Sequence, residues 1–283
     1  MLEVRHITRY RYARPVRFGE HRMMLRPRED PDQALLAEQL RITPEPAALH
    51  IDRDALGNFV AVADFSETAE ALCFDSRIVV GRKTPLEPTL PPLPGLTPFP
   101  VSGPSAGLEL DAWARSFGVA AGGEGLAAVA AMTAHIHRTF AYRRRLETGV
   151  QGPEQTLASG SGACRDFAML LIAAARRLGL RARFASGYVY CHGSGADSDR
   201  LGGGHTHAWA QVETPEAGWV DFDPTSGRIG PDGLVRIAVA DHPRDVIPIQ
   251  GVYHGAADDF LDMEVEVQVT AAPSEPSPLW SVA

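Results

Sequence analysis

The stretch from Ser159 to Gly179, SGSGACRDFAMLLIAAARRLG, places one cysteine between a run of small residues and a long apolar segment. The segment after the cysteine is apolar around most of a helical circumference, which predicts a buried central helix. Ser161 is the predicted N-cap of this helix, and Gly179 is the residue expected just beyond its end. Cys164 therefore falls in the first helical turn, where free backbone N–H groups and the helix macrodipole favour an anion.

Two interpretations of Cys164 follow from this position. Free cysteine is among the most frequently buried residue types, which favours a structural role. A helix N-terminus, however, stabilises the thiolate, which is the reactive form of the side chain. A thiolate at neutral pH generally needs a base within hydrogen-bond reach, so the choice depends on what other residues the chain supplies.

A histidine and two aspartates further along the chain are the candidates to complete such a site. Residues 205–213, HTHAWAQVE, predict a strand that begins at His207. Residues 218–225, GWVDFDPT, predict the next strand, and a hairpin of the two would bring Asp223 alongside His207. A carboxylate in that place would fix the tautomer and orientation of the imidazole. Asp221 points to the same strand face and is the alternative partner.

The composition excludes several classes of protein. A formal net charge of −8 argues against a dominant nucleic-acid-binding surface. The N-terminus has no basic and apolar signal pattern, and no stretch approaches the ~18 consecutive apolar residues of a membrane span. Three cysteines, Cys73, Cys164 and Cys191, fit a reducing compartment better than a disulfide framework. We therefore expect a cytoplasmic protein with neither nucleic acid nor membrane as a partner.

The chain divides at a proline-rich stretch. Residues 1–83 read as short alternating strands with a hairpin turn at DALGN, residues 54–58, which predicts an N-terminal antiparallel β-sandwich. Eight of the 24 residues in 84–107 are proline, which indicates an extended linker. Residues 108–283 combine helical segments with later strands and are predicted to form a second domain, so the fold class is α+β.

Three motifs carry a resemblance to a known family. The order G-x-C at residues 162–164, H-A-W at 207–209 and G-W-x-x-x-D-P-T at 218–225 is similar to that of the transglutaminase-like superfamily of papain-type thiol enzymes. The similarity extends over roughly residues 140–225 and includes FAY at 140–142. The N-terminal strands and the DALGN turn resemble the β-rich region that accompanies this core in a bacterial subgroup. The resemblance implies that 108–283 is a papain-like catalytic core, with the cysteine-bearing helix packed on an antiparallel sheet.

The resemblance also implies roles for individual residues. Cys164 matches the nucleophile, His207 the general base and Asp223 the orienting carboxylate, which favours Asp223 over Asp221. Asp166 is expected to hydrogen-bond near the start of the helix.

The oxyanion hole is less completely specified by the sequence. The Cys164 backbone N–H is the expected first donor, since it lies at the helix terminus. Tyr142 and Trp209 are the further candidates for substrate-binding or oxyanion residues, although Trp209 also resembles a packing residue beside the histidine.

The implied reaction begins with a Cys164 thioester formed from a peptide or carboxamide of a peptide or protein substrate. If water resolves the thioester, the protein is a cysteine peptidase or amidase; if an amine does, it is a transglutaminase. The same motif residues serve both outcomes. The lack of a calcium-binding signature and the bacterial type of the resemblance favour hydrolysis. No cofactor is expected, and the sequence does not indicate an oligomeric state.

Two other classes of function were weighed. A non-catalytic binding scaffold is disfavoured because all three catalytic positions are present. A zinc site is disfavoured because its candidate ligands do not follow the usual spacings, so no metal is predicted. Those candidate ligands are Cys191, His192, His205 and His207.

Overall fold

The computed structural model describes residues 1–82, 108–123, 125–145, 149–190, 205–214 and 218–272. The predicted linker, 84–107, and the pair Cys191 and His192 lie outside these residues. The predicted α+β class is confirmed, because a curled antiparallel sheet is combined with helices packed on a second sheet.

The elements follow one another along the chain, starting with strands, passing through four helices and ending with strands again. They are β1 (Leu2–Met23), β2 (Gln33–Thr43), β3 (Ala48–Arg53), β4 (Phe59–Asp64), β5 (Thr68–Arg82), α1 (Leu108–Ala120), α2 (Gly125–Thr139), β6 (Ala141–Tyr142), α3 (Pro153–Ser159), β7 (Ser161–Gly162), α4 (Cys164–Arg177), β8 (Ala182–Val189), β9 (His207–Thr214), β10 (Gly218–Asp223), β11 (Arg228–Ile229), β12 (Leu234–Ala240), β13 (Ile249–His254) and β14 (Phe260–Ala271).

The N-terminal sheet is organised around the long strand β1. Its order is β2-β5-β1-β4-β3, and β13 and β14 also pair with β1. The first half of β1 pairs with β5 and β14, whereas its second half pairs with β4 and β13. The pairing of β1 shifts register after Arg11 with both β5 and β14, and again between Phe18 and His21 with β13. Bulges of this kind bend a strand, so the sheet curls around its own apolar core. The predicted hairpin turn is present, with Gly57 in the left-handed region (φ 78°) between β3 and β4.

The domain prediction needs one correction. Residues 249–271 were assigned to the second domain with the rest of 108–283, but β13 and β14 are strands of the N-terminal sheet. The alternating pattern of DDFLDMEVEVQVT identifies a strand, and β14 is one. Alternation alone does not determine which strand it will pair with, and β1 lies at the opposite end of the chain.

The core sheet has five antiparallel strands in the order β11-β10-β9-β8-β12, and α4 packs on one face of it. As predicted, α4 is a buried central helix, with eight of its fourteen residues buried. No single helix in the described part of the chain is long and apolar enough to cross a membrane. Among the described residues, one helix pair, α1 and α2, reaches that length and composition when taken together, but it is bent by 117° and eight residues of α2 are buried in the protein.

The start of α4 differs from the prediction in its N-cap. Ser161 and Gly162 form β7, which pairs in parallel with β6, and the N-cap is Ala163. The backbone N–H of Ala163 donates to Asp166 Oδ2 at 2.9 Å, which is the bond that the third residue of a helix makes in a capping box. Gly179 has φ 80° just beyond the helix, as predicted.

The N-terminal sheet docks against β12, the edge strand of the core sheet. The Gln33 side chain donates to the carbonyl of Arg236 and accepts from its backbone N–H, at 2.8 and 2.9 Å. Asn58 makes the same pair of bonds to the backbone of Val239, both at 2.8 Å. Because these amides satisfy backbone groups that a free edge would expose, they join the two sheets in a defined position.

A buried histidine also joins the two sheets. His6 of β1 bonds through Nδ1 to the hydroxyl of Tyr188 in β8 at 2.7 Å, and through Nε2 to Thr8 Oγ1 at 3.0 Å. Burial lowers the pKa of His6 from 6.5 to about 4, since the charged ring would lose its hydration. In the folded protein, His6 is therefore neutral where it joins β1 of the N-terminal sheet to β8 of the core sheet.

We expect acid to weaken the protein through His6. Between pH 6.5 and about 4 the unfolded chain binds a proton at His6 and the folded chain does not. The stability that neutral His6 contributes is therefore complete above pH 6.5 and is lost as the pH falls through this range. Urea unfolding should show that, from pH 7 to pH 4.5, the free energy of unfolding falls by about 2–3 kcal/mol more in wild type than in a His6→Asn variant. Equal losses would contradict the assignment.

Candidate active site

Cys164 is the first residue of α4 and is partly buried. The turn before it is held by Asp166, which is fully buried. Besides its bond to Ala163, the Asp166 carboxylate accepts from the backbone N–H of Gln151 at 2.7 Å and from Arg145 at 2.9 Å. The expected bonding of Asp166 near the helix start is confirmed. The N–H of Cys164 lies in the first turn, where the helix supplies no acceptor.

His207 begins β9, and Asp223 ends β10. The two strands pair as an antiparallel hairpin, and His207 Nε2 lies 2.9 Å from Asp223 Oδ2. Both side chains are at most 1 % exposed. The hairpin that the sequence predicts therefore brings this histidine and this aspartate into direct contact.

The other ring nitrogen of His207 is left for Cys164. Nδ1 is buried and has no hydrogen-bond partner among the residues that the structure describes. Burial by itself would lower the pKa of His207, but the Asp223 carboxylate and the Cys164 side chain raise it to about 10. The imidazole is therefore protonated at neutral pH, between a carboxylate on one side and the cysteine on the other.

Asp223 is itself held by three donors. Its Oδ2 accepts from the Ser226 hydroxyl at 2.5 Å as well as from His207, and its Oδ1 accepts from the backbone N–H of Thr225 at 2.9 Å. Burial would raise the pKa of Asp223, but His207 and these donors lower it, so the carboxylate stays ionised. Sequence reasoning missed Ser226, because a serine in a turn carries no distinguishing pattern.

Asp221, the alternative partner, is committed elsewhere. It accepts from Trp209 Nε1 at 2.7 Å, from Gln211 Nε2 at 2.8 Å and from Arg236 at 3.1 Å. Although Asp221 and Asp223 share a face of β10, Asp221 lies opposite Gln211, further from the start of β9. The choice between the two carboxylates is therefore made by strand register.

Trp209 does not have the substrate-binding or oxyanion role suggested for it. Its ring is fully buried, and its only N–H donates to Asp221, so neither face nor donor is available to a substrate. It stacks on His207 instead, with ring centroids 6.0 Å apart and an interplanar angle of 26°. This is the packing position beside the histidine that the resemblance implies.

Comparisons with known proteins match this architecture. Residues 2–81 match the family described as the bacterial transglutaminase-like N-terminal region, and residues 111–224 match the transglutaminase-like superfamily. Residues 111–224 are therefore a transglutaminase-like region, preceded by the N-terminal region found with it in bacteria. This match supports a thiol enzyme in general terms. Residues 249–271, which complete the N-terminal sheet, lie beyond both matched ranges.

Full-length relatives of this transglutaminase-like protein occur in mycobacteria. The uncharacterized protein Rv2569c of Mycobacterium tuberculosis is 28% identical over 93% of this chain and 91% of its own length. ML0607 of Mycobacterium leprae is 32% identical over 38% of this chain and 37% of its own length. A crystal structure from Cytophaga hutchinsonii, named a "Putative Cysteine Protease", is 21% identical with a TM-score of 0.60, covering 99% of this chain and 93% of the other. This last likeness shows that the fold is shared over its whole length.

Tyr142 lies beside Cys164 in this transglutaminase-like fold. Its strand β6 pairs with β7, which places Tyr142 opposite Gly162 and its ring against Phe167 at 6.4 Å. Burial and the neighbouring Cys164 raise the pKa of Tyr142 to about 12, so the phenol keeps its proton at neutral pH. Tyr142 is thus a neutral O–H donor next to the cysteine.

The described residues contain no group of three or more histidines, cysteines, aspartates and glutamates that could hold a metal ion. Two of the candidate zinc ligands, Cys191 and His192, fall outside that part of the chain. His205 is half-buried, and burial together with Arg144 lowers its pKa. His207 is committed to Asp223.

Proposed function

We propose that this protein is a thiol-dependent acyl-transfer enzyme that cleaves a peptide or carboxamide bond through a Cys164 thioester and hydrolyses it. The observation that carries the proposal is the buried His207, held by Asp223 at Nε2, with its Nδ1 free of other described partners and with the Cys164 side chain among the groups that raise its pKa. We assign Cys164 as the nucleophile, His207 as the general acid and base, and Asp223 as the orienting carboxylate.

The first step uses the charge on His207. An imidazolium beside the sulfur stabilises a thiolate, and the N-terminus of α4 adds to this effect. The thiolate attacks the carbonyl carbon and forms the C–S bond. As the C–N bond breaks, His207 gives its Nδ1 proton to the leaving nitrogen, which departs as a neutral amine or ammonia.

Negative charge develops on the carbonyl oxygen during this attack. The Cys164 backbone N–H is one donor for it, because it lies at the helix terminus without an intrahelical acceptor. Tyr142 is the second donor that we propose, since its phenol is neutral and adjoins the cysteine. Together the two donors would stabilise the oxyanion as the tetrahedral intermediate forms.

The thioester is then resolved by an acceptor. His207, now neutral, takes a proton from water as the oxygen attacks the thioester, the C–S bond breaks, and a carboxylic acid is released, which restores the thiolate beside a protonated His207. We propose water as the acceptor because hydrolysis needs no second binding site. Transfer to an amine, as in a transglutaminase, is the competing outcome and uses the same three residues.

An isotope experiment separates these two outcomes. A glutaminyl peptide is incubated with the protein in H₂¹⁸O, with and without excess primary amine, and with a Cys164→Ala variant as the control. We expect glutamate carrying one ¹⁸O in both reactions and none with the variant. Incorporation of the amine in preference to ¹⁸O would overturn hydrolysis and favour a transglutaminase. Turnover that persists in the variant would contradict the thioester itself.

A further inference from the structure

We propose that the N-terminal sheet helps to position His207, through three buried side chains that lie between them. These side chains are Trp209, Asp221 and Arg236. The proposal rests on the proposed function, because it takes His207 to be the catalytic base. It assigns a positioning role to residues that do not touch the substrate.

The connection begins at the face of the imidazole. A hydrogen bond at Nε2 alone leaves the ring of His207 free to turn about that bond, which would swing Nδ1 away from the cysteine. The indole of Trp209 lies against the ring at an interplanar angle of 26° and removes this freedom. Trp209 is in turn fixed, because its N–H donates to Asp221 Oδ1 at 2.7 Å.

The connection continues through a buried ion pair. The other oxygen of Asp221 accepts from Arg236 at 3.1 Å, and the two side chains are 2 % and 4 % exposed. A guanidinium is planar and presents its donors in a rigid fork, so its position sets the orientation of the carboxylate it binds. Arg236 therefore determines how Asp221 meets Trp209.

Arg236 is held from the side of the N-terminal sheet. Its guanidinium bonds to Asp32 Oδ1 and lies 3.3 Å from Asp30 Oδ2, and both aspartates lie in the short connection between β1 and β2. The Gln33 side chain also hydrogen-bonds to both the backbone N–H and the backbone carbonyl of Arg236. The N-terminal sheet thus supplies most of the partners of the residue that orients Asp221.

Two conservative variants test the two ends of this connection. Trp209→Phe keeps an aromatic face on His207 but removes the donor to Asp221. Asp32→Asn keeps the size of the side chain but removes the charge that holds Arg236. Glu38→Gln is the matched control, because Glu38 pairs with Arg26 in the same sheet and is as buried as Asp32, at 20 % against 18 % exposed.

The rate of Cys164 alkylation by iodoacetamide at pH 7 is the first measurement, with His207→Ala as the reference for complete loss of the base. We expect Trp209→Phe and Asp32→Asn each to slow alkylation by about 2- to 30-fold, and Glu38→Gln to leave it unchanged. In the double variant the effects should be less than additive, because both act on one connection.

A second measurement separates positioning from loss of stability. The ¹⁵N resonances of His207 should titrate at lower pH in Trp209→Phe and Asp32→Asn than in wild type, at a temperature where each variant keeps its native circular dichroism. A merely structural role would lower the melting temperature and leave this titration in place. If Asp32→Asn does not fold, Asp30→Asn takes its place.

The outcomes also distinguish this inference from the proposed function. If His207→Ala slows alkylation while Asp32→Asn behaves like Glu38→Gln, the positioning role is refuted and the function stands. If His207→Ala itself has no effect, the proposed function fails first.

Discussion

A Cys164→Ala variant is expected to lose turnover by a factor of about 10⁴–10⁶, which is the range found when the nucleophile is removed from an enzyme of this type. In the proposed mechanism the Cys164 sulfur forms the covalent intermediate, and alanine has no atom that can replace it. The proposed roles of His207 and Asp223 are to supply and stabilise a proton, so they do not compensate for the loss. Turnover is measured with the glutaminyl peptide or with whichever peptide substrate the protein accepts.

The variant isolates chemistry from folding. Alanine is the best helix former, and Cys164 is a partly buried residue at the first position of α4, so the loss of one sulfur atom leaves the helix intact. The matched control is Cys73→Ala. Cys73 is the other described free cysteine and is likewise partly buried, but burial raises its pKa and it lies in β5 of the N-terminal sheet. Cys73→Ala should keep full activity. Equal losses in both variants would contradict the role of Cys164.

The site could be predicted from the sequence because each of its parts has a local signature. The apolar run after Cys164 determines a buried helix, and α4 is one. A strand that begins at His207 and one that ends at Asp223 form a hairpin, and both strands are present with the expected pairing. Local periodicity and a short connection are sufficient for these features.

Other features could not be predicted because they depend on contacts between distant parts of the chain. The pairing of β14 with β1 joins the two ends of the described chain, and the sequence pattern of neither strand specifies which strand it pairs with. The contact of Asp221 with Arg236, fifteen residues further along the sequence, is likewise not indicated by any local pattern. Trp209 was given a substrate role because its position beside the histidine is visible in the sequence and its bond to Asp221 is not.

The N-cap of α4 shows a subtler limit. Ser161 has the right residue type for a cap, but the chain uses it in β7, where parallel pairing with β6 brings Tyr142 opposite Gly162. Asp166, from within the helix, then accepts the backbone N–H of the actual N-cap residue, Ala163. A local preference was overridden by a tertiary pairing that also builds the site.

Arg236→Met is expected to lower the free energy of unfolding by about 3–5 kcal/mol, because it leaves the buried Asp221 carboxylate without its counter-charge. Arg236 is 4 % exposed and is the partner of Asp221 in the core and of Asp30 and Asp32 in the N-terminal sheet. Methionine matches the length of the arginine stem, so the change is mainly one of charge and hydrogen bonding. Urea unfolding at pH 7 measures the loss.

The same substitution at an exposed ion pair is the control for Arg236→Met. Arg11 pairs with Asp262 on the surface of the N-terminal sheet, where water screens both charges, so Arg11→Met should change stability little. The pH dependence adds a second criterion. Burial already raises the pKa of Asp221, and removal of Arg236 would raise it further. Protonation of the folded variant at lower pH then removes the unpaired charge, so the gap between Arg236→Met and wild type should narrow as the pH falls. If the loss of unfolding free energy in Arg236→Met is as small as in Arg11→Met, or does not change with pH, Arg236 does not balance the charge of Asp221. The N-terminal sheet would then not orient Asp221 through Arg236.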